Sequence, residues 1–292
     1  MHTTIDHVLL TRFNLPSAGV ESIVRAQEGW LRTRMELFER YCVPSVRAQT
    51  NRNFTWAIYF DPDSPSWLLE RIEEYRVAGT FVPIFRPSFT HSELVSDLRR
   101  VVGTPRSELI TTNLDNDDGL AIDFVDRLQS GQAPSVPTAL YLTRGLIMSP
   151  AGLYLRVDRH NAFCSVRESW TAEPRTCWLD WHDLLPRHLP VRELGGRPGW
   201  LQVVHGTNVS NKVHGRLSGP GPYRDLFLGL LDYVPNPQPA AVLRDRLVAQ
   251  PLRTVRDWSR SAVKRTGRAI LGKKGWDQAK HRVATWRLPA AR

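Results

Sequence analysis

Residues 108–119 have the sequence Glu-Leu-Ile-Thr-Thr-Asn-Leu-Asp-Asn-Asp-Asp-Gly. The first seven are mostly apolar or threonine, which predicts a buried β-strand, and the strand pattern stops at the acidic tetrad Asp115-Asn116-Asp117-Asp118. Carboxylates two positions apart at a strand end can converge on a divalent cation, Mg²⁺ or Mn²⁺, which in turn binds phosphate oxygens. A helix N-cap cluster is the alternative interpretation, since aspartate stabilises helix starts.

Strand-like and helix-like segments alternate on both sides of this stretch, over the first 130 residues. Further strands are predicted at 7–13, 54–60 and 81–85, and helices at 29–49, 66–77, 92–102 and 121–129. Strands separated by crossover helices indicate an α/β fold with a mostly parallel central sheet and flanking helices. Ligands of such sheets bind beyond the carboxyl ends of the strands. The polar residues at these strand ends are Thr11, Arg12, Asn14, Asp61, Asp115 and Asp117.

The pattern changes after residue 137. Two strands joined by a Ser-Pro-Ala-Gly turn are predicted at 138–147 and 152–157, which indicates a hairpin. A further strand is predicted at 200–204, and His205 follows its end.

Charge is distributed unevenly along the chain. Three prolines between positions 235 and 239 predict a linker, which divides the chain into a domain at 1–234 and a C-terminal extension at 235–292. The whole chain has a formal net charge of +10, but residues 241–292 alone hold ten Arg, four Lys and three Asp, so the remainder is nearly neutral. We therefore expect a neutral catalytic or binding domain with a basic helical tail.

Composition excludes several classes of protein. Hydrophobic residues make up 41% and charged residues 23% of the chain, which is typical of a globular protein. Three cysteines are too few for a disulfide scaffold and lack the spacing of a zinc site. No apolar run approaches the ~20 residues of a membrane span, and the N-terminus lacks the pattern of a secretory signal. We therefore expect a cytoplasmic protein.

The basic tail carries apolar residues, tryptophan among them, at loosely helical spacing between its Arg and Lys residues. Cationic amphipathic helices of this kind lie on anionic lipid surfaces. This pattern predicts a contact of residues 241–292 with the inner face of the cell membrane. A solvated disordered tail and a contact with nucleic acid are the alternatives.

Several sequence blocks stand out in combination. They are Thr11-Arg12-Phe13-Asn14, Trp30-Leu31-x-x-Arg34 with its continuation to Ser45, Trp56-x-Ile58-x-Phe60-Asp61, Leu114-Asp115-Asn116-Asp117-Asp118-Gly119 and Trp200-Leu201-Gln202-Val203-Val204-His205. Together these blocks resemble the putative rhamnosyltransferase family, bacterial glycosyltransferases of the GT-A fold. The resemblance implies a GT-A-like nucleotide-diphospho-sugar transferase fold and a nucleotide-diphosphate sugar as the donor substrate.

The resemblance also implies a role for the first two strand ends. They would hold the nucleotide, through Thr11, Arg12, Asn14 and Asp61. From the sequence alone, Arg12 could equally form a surface salt bridge, and the Asp61 segment could be a plain turn.

The metal, Mn²⁺ or Mg²⁺, would be held in such a fold by Asp115, Asp117 and His205. Asp118 would lie behind the metal or contact the acceptor, so we count it with the catalytic residues. The alternative for His205 is a hydrogen bond to the backbone at the turn that follows the strand. The residue that is usually basic before the acidic tetrad is Asn113 here.

Sugar transfer also needs a base that removes the proton of the attacking hydroxyl. A carboxylate some fifty residues beyond the acidic tetrad would serve, and Glu168 is our candidate, with Glu173 and Asp158 behind it. The alternative for Glu168 is a surface ion pair with its neighbour Arg167.

We therefore expect a metal-dependent glycosyltransferase that moves a sugar, rhamnose by the family's name, to a glycan, lipid-linked or small-molecule acceptor. The alternative from another class is a non-catalytic basic adaptor that binds membrane or nucleic acid through its tail. A nucleotidyltransferase is a third possibility, but the first strand is not followed by a glycine-rich, basic triphosphate loop.

Overall fold

The structure is a computed structural model that describes residues 4–16, 29–205 and 213–253, and within these ranges the strands form two sheets. The larger sheet contains β1 (Ile5–Arg12), β2 (Thr55–Phe60), β3 (Val82–Phe85), β4 (Glu108–Asn113), β6 (Thr138–Leu142), β9 (Ser165–Ser169) and β10 (Val191–Leu194). The smaller sheet contains β5 (Gly119–Leu120), β7 (Arg144–Ser149), β8 (Gly152–Val157), β11 (Trp200–Val203) and β12 (Arg216–Ser218).

The larger sheet has the strand order β10-β6-β9-β4-β1-β2-β3. Strands β3, β2, β1 and β4 run parallel, β9 is antiparallel to both of its neighbours, and β10 is parallel to β6. This topology confirms the predicted α/β fold class with a mostly parallel central sheet, and the GT-A-like assignment within that class stays a prediction. The last residues of β1, β2 and β4 (Arg12, Phe60 and Asn113) lie at one edge of the sheet, which we call the carboxyl edge.

Helices connect the parallel strands. They are α1 (Trp30–Leu37), α2 (Val43–Arg47), α3 (Ser66–Val77), α4 (His91–Val102) and α5 (Phe124–Gln129), followed near the end of the described chain by α6 (Pro239–Arg244). The helix predicted at 29–49 is interrupted by a π-helical turn at Phe38–Cys42, which separates α1 from α2. Pro44 lies just after this turn and has no N–H to donate to the preceding helical turn, so it lies at the point where the regular α-helical hydrogen bonding is interrupted.

The acidic tetrad does not cap a helix. Strand β5 follows it directly at Gly119, and α5 begins only after Asp123. The N-cap interpretation is therefore wrong. Strand β5 pairs antiparallel with β11, with Leu120 opposite Trp200, so the chain passes from the larger sheet to the smaller one immediately after the tetrad.

The strand predicted at 138–147 is in fact two strands, β6 and β7, which belong to different sheets and part at Thr143. The predicted hairpin is confirmed as β7 and β8. Gly145 of β7 lies under the Trp200 ring, and a Cβ atom there would be 2.0 Å from it, so only glycine allows this approach. Trp200 also stacks on Phe163 at 5.1 Å and donates to the Leu142 carbonyl at 2.8 Å, which fixes the junction of the two sheets.

The central strands of the larger sheet are buried on both faces. Along β1, Leu9 packs into an apolar cluster that contains Phe38, whereas Val8 and Leu10 pack into a second cluster that contains Leu94 of α4. Burial on both faces explains why these strands are almost continuously apolar in the sequence.

A short helical segment follows the domain. Helix α6 continues into a π-helical turn at Asp245–Ala249, and the Asp245 carboxylate accepts the N–H of Leu217 at 2.8 Å and pairs with Arg253 at 2.7 Å. Most of the predicted basic tail, from residue 254 onwards, lies outside the described residues, and the boundary at 234/235 stays a prediction. In the three described ranges, no helix combines the length and the apolar character needed to cross a bilayer.

Candidate active site

The acidic tetrad is attached to the end of β1. The N–H of Leu114 donates to the Leu10 carbonyl at 3.0 Å, and the Thr11 hydroxyl donates to the Leu114 carbonyl at 2.7 Å. The Asn116 side chain then donates to the Phe13 carbonyl at 2.7 Å. These bonds hold the tetrad at the carboxyl edge, where the sequence predicts it.

The hydroxyl of Thr11 is used in hydrogen bonds inside the protein, one of which attaches the tetrad to β1. Its hydroxyl also accepts the indole N–H of Trp56 at 2.9 Å, and the residue is fully buried. The structure therefore does not bring the Thr11 side chain to the surface at which we predict the nucleotide.

Asp117 is buried and shares one carboxylate oxygen between two partners. Its Oδ2 lies 2.9 Å from Nε2 of His205 and also forms an ion pair with the guanidinium of Arg34 from α1. Burial by itself would raise the pKa of this carboxyl, but the hydrogen bond to His205 and the charge of Arg34 outweigh burial and hold the pKa of Asp117 below its usual range. The structure thus brings two of the three predicted metal ligands, Asp117 and His205, into contact, and it favours the anionic form of Asp117.

Asp118 is fully buried. Its Oδ1 accepts the N–H of Val203 at 2.8 Å, and its Oδ2 has no hydrogen-bond partner among the described residues. Desolvation first, and then the charges of Asp117 and Asp115, raise the pKa of Asp118 well above its usual value. This placement corrects the prediction of a contact with the acceptor, because Asp118 is closed off from solvent, and it leaves the alternative in which Asp118 lies behind the predicted metal ligands. Asp118 fixes β11 two residues before His205.

Asp115 is the exposed member of the tetrad. Its Oδ1 accepts a hydrogen bond from the Asn113 side chain at 3.2 Å. The protein packed around this carboxyl desolvates it, and together with the charge of Asp117 this raises the pKa of Asp115, while Asn113 and the nearby charge of His182 act in the opposite direction. A solvent-facing carboxylate beside a second, buried one is an arrangement suited to a cation.

An aromatic platform, formed by Phe89 and Trp178, lies beside the tetrad. The two rings stack with centroids 5.5 Å apart, and the exposed guanidinium of Arg12 lies 4.3 Å from the centre of the Trp178 ring. The Trp178 indole donates to the Asn113 side chain at 2.7 Å, so one asparagine contacts both the platform and Asp115. Aromatic rings therefore hold Arg12 as a surface cation. Its neighbour Trp178 is linked through Asn113 to Asp115, one of the predicted metal ligands.

Asn14 and Asp61 tie the ends of β1 and β2 together. The Asn14 side chain accepts the N–H of Asp61 and donates to the Ser64 hydroxyl, both at 3.0 Å. The Asp61 carboxylate accepts the N–H of Asp63 at 2.9 Å, which is the plain-turn alternative. The two residues lie together at the carboxyl edge as predicted, and their role toward a nucleotide stays a prediction.

Glu168 lies at the opposite end of the sheet from the tetrad. It sits on the reversed strand β9, opposite Leu109, which is about 13 Å of strand away from the end of β4 at Asn113. Its carboxylate is buried and accepts the N–H of Arg175 at 3.0 Å. Glu168 therefore cannot be the base at the carboxyl edge. The alternative pairing with Arg167 is also wrong, since that arginine pairs with Glu108 at 2.8 Å.

Two groups beside the tetrad have no counterpart among the predicted site residues. The first is Arg34 of α1, which lies one helical turn after Trp30 and for which the sequence indicates no role. The second is the loop 178–184, which carries Asp180, His182 and Asp183. Its aromatic and acidic composition is the signal that sequence reasoning could have used.

The loop 178–184 is anchored to the core of the domain. The N–H of Cys177 donates to the buried Thr111 hydroxyl of β4 at 2.9 Å, just before Trp178 meets Asn113. Farther along, the Tyr141 hydroxyl donates to the His182 carbonyl at 2.6 Å. The loop thus forms a fixed wall at the carboxyl edge.

The residues present fit a divalent cation in kind. Carboxylate oxygens and an imidazole nitrogen are accepted ligands of Mn²⁺, and Asp115, Asp117 and His205 offer both. Their arrangement is not yet that of a metal centre: within the described ranges, no cluster of three or more His, Cys, Asp or Glu side chains has metal-binding geometry. Arg34 occupies one side of Asp117, so a cation there would have to displace it.

A protein-family profile described as "Putative rhamnosyl transferase" matches residues 6–217, most of the chain. The chain belongs to this family. The description of this family names an enzyme activity, which favours an enzyme over the non-catalytic adaptor that the basic charge also allows. No curated protein matches the chain significantly.

Solved structures with a similar fold are distant in sequence. Residues 1–349 of S. aureus TarS align with a TM-score of 0.36 and 9% identity, covering 68% of this chain and 60% of that one, and the same fragment in complex with UDP aligns with a TM-score of 0.35. A "putative nucleotide-diphospho-sugar transferase" from Desulfovibrio desulfuricans G20 aligns with a TM-score of 0.33 and 11% identity, covering 70% and 82%. The chain thus spans less than two thirds of the TarS fragment, and likenesses at this level support no functional inference.

The variant Glu168→Gln tests whether Glu168 is a buried structural acid or a catalytic one. Burial raises the pKa of Glu168 from 4.5 to about 7, so between these pH values the native state keeps a proton that the unfolded state has lost. The unfolding free energy therefore falls as pH rises through this window, and glutamine removes the effect. We expect variant and wild type to melt together near pH 4.5 and the variant to melt higher at pH 8, with transfer activity retained.

The matched control is Glu173→Gln, at an exposed position, which should leave the pH profile of the melting temperature unchanged. Parallel melting curves for Glu168→Gln and wild type across the whole range would contradict the buried-acid assignment. Loss of transfer in a stably folded Glu168→Gln protein would contradict its exclusion from the active site.

Proposed function

We propose that this protein is a glycosyltransferase that moves a sugar, rhamnose by the family's description, from a nucleoside diphosphate to a hydroxyl of a bacterial glycan, lipid-linked or small-molecule acceptor. The observation that supports this best is the meeting of exposed Asp115, the Asp117–His205 pair and the platform-held Arg12 at the carboxyl edge. A sugar nucleotide needs charge neutralisation for its phosphates and flat surfaces for its rings. This edge offers both within a short distance.

Asp115 and Asp117, with His205 beside them, would hold Mn²⁺ or Mg²⁺. When bound, such an ion acts as a Lewis acid that stabilises the departing diphosphate. Arg12 is an always-charged group that suits phosphate oxygens, and its stacking on Trp178 orients it before a donor arrives. Asn14 fixes the ends of β1 and β2 relative to each other, which gives the nucleotide a formed surface rather than two separate loops.

The base for the acceptor hydroxyl comes, in this proposal, from the loop 178–184. Its titratable residues are Asp180, His182 and Asp183. Trp178 of this loop donates a hydrogen bond to Asn113, whose side chain also contacts Asp115. In the transfer, the acceptor oxygen bonds to the anomeric carbon while the bond from that carbon to the diphosphate oxygen breaks. The hydroxyl proton passes to the base.

Asp115→Asn tests the cation site. Asp117 is less suitable, since its removal would leave Arg34 buried beside no carboxylate, whereas Asp115 is exposed. We expect transfer to fall by at least about 100-fold, more than the loss typical of a group that only supports a metal ligand. The unfolding free energy should change by no more than about 0.5 kcal/mol, as for other surface substitutions.

The measurement is sugar transfer, together with thermal stabilisation by Mn²⁺ and a panel of nucleotide sugars. Asp126→Asn, an exposed aspartate on α5, is the matched control and should behave as wild type. Full activity in Asp115→Asn would rule out the cation assignment.

The base is tested with three single variants, Asp180→Asn, His182→Gln and Asp183→Asn. One of them should lose about 10²- to 10⁴-fold in kcat, the typical contribution of a positioned base, and should also lose the acidic limb of the pH–rate profile. The other two should keep both. Near wild-type rates in all three variants would show that the base lies elsewhere.

We further propose that the C-terminal segment brings the enzyme to the inner face of the cell membrane. The helical residues 239–253 expose an apolar surface formed by Leu243, Leu247, Val248 and Leu252. Apolar helix faces next to dense basic charge suit the headgroup region of anionic bilayers, and the sequence beyond residue 253 is strongly basic. A lipid-linked acceptor would be met at that surface.

Vesicle sedimentation tests this contact. The full chain should bind phosphatidylglycerol vesicles and not phosphatidylcholine vesicles, and salt should weaken the binding. Joint replacement of Leu243, Leu247 and Leu252 by glutamine should reduce binding, whereas Leu228→Gln, at another exposed leucine, should not. Equal binding of the triple variant and wild type would contradict a role for this helix face.

A further inference from the structure

Arg34 reaches from α1 into the acidic tetrad. It forms an ion pair with Asp117, its Nη1 donates to Oδ1 of Asn116 at 3.2 Å, and its side chain is only 13% exposed. Its guanidinium carbon lies 5.3 Å from the centre of the Trp30 ring, one helical turn earlier. A nearly buried arginine is therefore held against a carboxylate that we propose as a metal ligand.

The guanidinium is incompletely bonded in this position. Its Nε is buried and has no hydrogen-bond acceptor in the part of the chain that the structure describes. Asp117 is crowded in turn, because Arg34 and His205 both approach its Oδ2. Arginine presents its donors as a planar fork that matches phosphate oxygens in pairs, so a diphosphate would satisfy the guanidinium more fully than the shared Asp117 oxygen and the Asn116 amide oxygen do.

The charge of Arg34 balances the buried charge of Asp117. A buried anion such as Asp117 is costly when it lacks a partner. Arg34 supplies that partner while no donor is bound. A donor that arrives with a divalent cation brings a new partner for Asp117 and, at the same time, phosphates that need a cation of their own.

On the basis of the metal-dependent function proposed above, we infer that Arg34 and the divalent cation exchange at Asp117. Arg34 is the counter-ion of Asp117 in the donor-free enzyme. When the cation and the diphosphate bind, the cation takes the Asp117 carboxylate and Arg34 moves to the phosphates. No covalent bond changes in this step.

The exchange couples two binding events. Mn²⁺ alone must displace Arg34 without giving it a new partner, so it binds weakly. Mn²⁺ with a nucleoside diphosphate gives the displaced guanidinium a phosphate to bind, so each ligand strengthens the other by the same factor. The coupling therefore resides in one side chain and can be removed by substitution.

The test is the affinity of the full-length protein for Mn²⁺, followed by electron paramagnetic resonance, with Mn²⁺ alone and then with UDP, GDP or dTDP. Arg34→Gln should bind Mn²⁺ alone about tenfold more tightly than wild type, within the range usual for linked sites. In this variant the nucleotides should improve Mn²⁺ binding less than they do in wild type. Arg32→Gln is the matched control, an exposed arginine on the same helix, and should behave as wild type.

Arg34→Lys is a second variant that keeps the buried charge, so its binding can be compared even where Arg34→Gln folds poorly. Melting curves monitor folding in each variant. It keeps a charge near Asp117, so its Mn²⁺ affinity should stay close to that of wild type, but the ammonium lacks the fork and the nucleotide should bind more weakly. Equal Mn²⁺ affinity in wild type, Arg34→Gln and Arg32→Gln would overturn the exchange and leave the proposed function standing. Absence of Mn²⁺ binding in every variant, with and without nucleotide, would overturn both.

Discussion

The hydrogen bond from the Val203 N–H to the buried Asp118 carboxyl joins the two sheets at the active site. Together with the pairing of β5 and β11, it sets where the chain stands two residues later, when His205 meets Asp117. Desolvation favours the neutral form of Asp118, which makes its complete burial tolerable. The position of His205 relative to Asp117 thus depends on a third acid, Asp118, that is itself closed off from solvent.

The parallel half of the larger sheet could be predicted because its signals are local. Each strand is a short apolar run, and each ends in a turn or a polar cluster, as at Asp61 and at the acidic tetrad. In the smaller sheet only the β7–β8 hairpin and the strand β11 could be predicted, because the assembly of this sheet depends on contacts between distant residues. The break at Thr143 coincides with three residues that are not apolar, at 143–145, but both halves of the segment are apolar and buried, so the sequence does not show that they belong to different sheets.

The candidate site shows the same division between local and distant effects. Thr11 and Arg12 are adjacent in a strand, so their side chains point to opposite faces, and the polarity of the two residues does not reveal which one is buried. Glu168 was chosen by its separation along the chain, but the reversed direction of β9 carries it to the far end of the sheet. Arg34 reaches Asp117 only because α1 packs beside the carboxyl edge, a relation that helical periodicity does not contain.

The wall formed by the loop 178–184 has a further consequence for recognition. Cys177 is buried in the core beneath it, Trp178 is bonded to β4, and the Phe89 ring stacks against the Trp178 indole. This side of the carboxyl edge is fixed in place, because the loop cannot move outward without exposing the interior of the domain. In the function proposed above, a substrate that binds against this loop would therefore have to match a shape that is already formed.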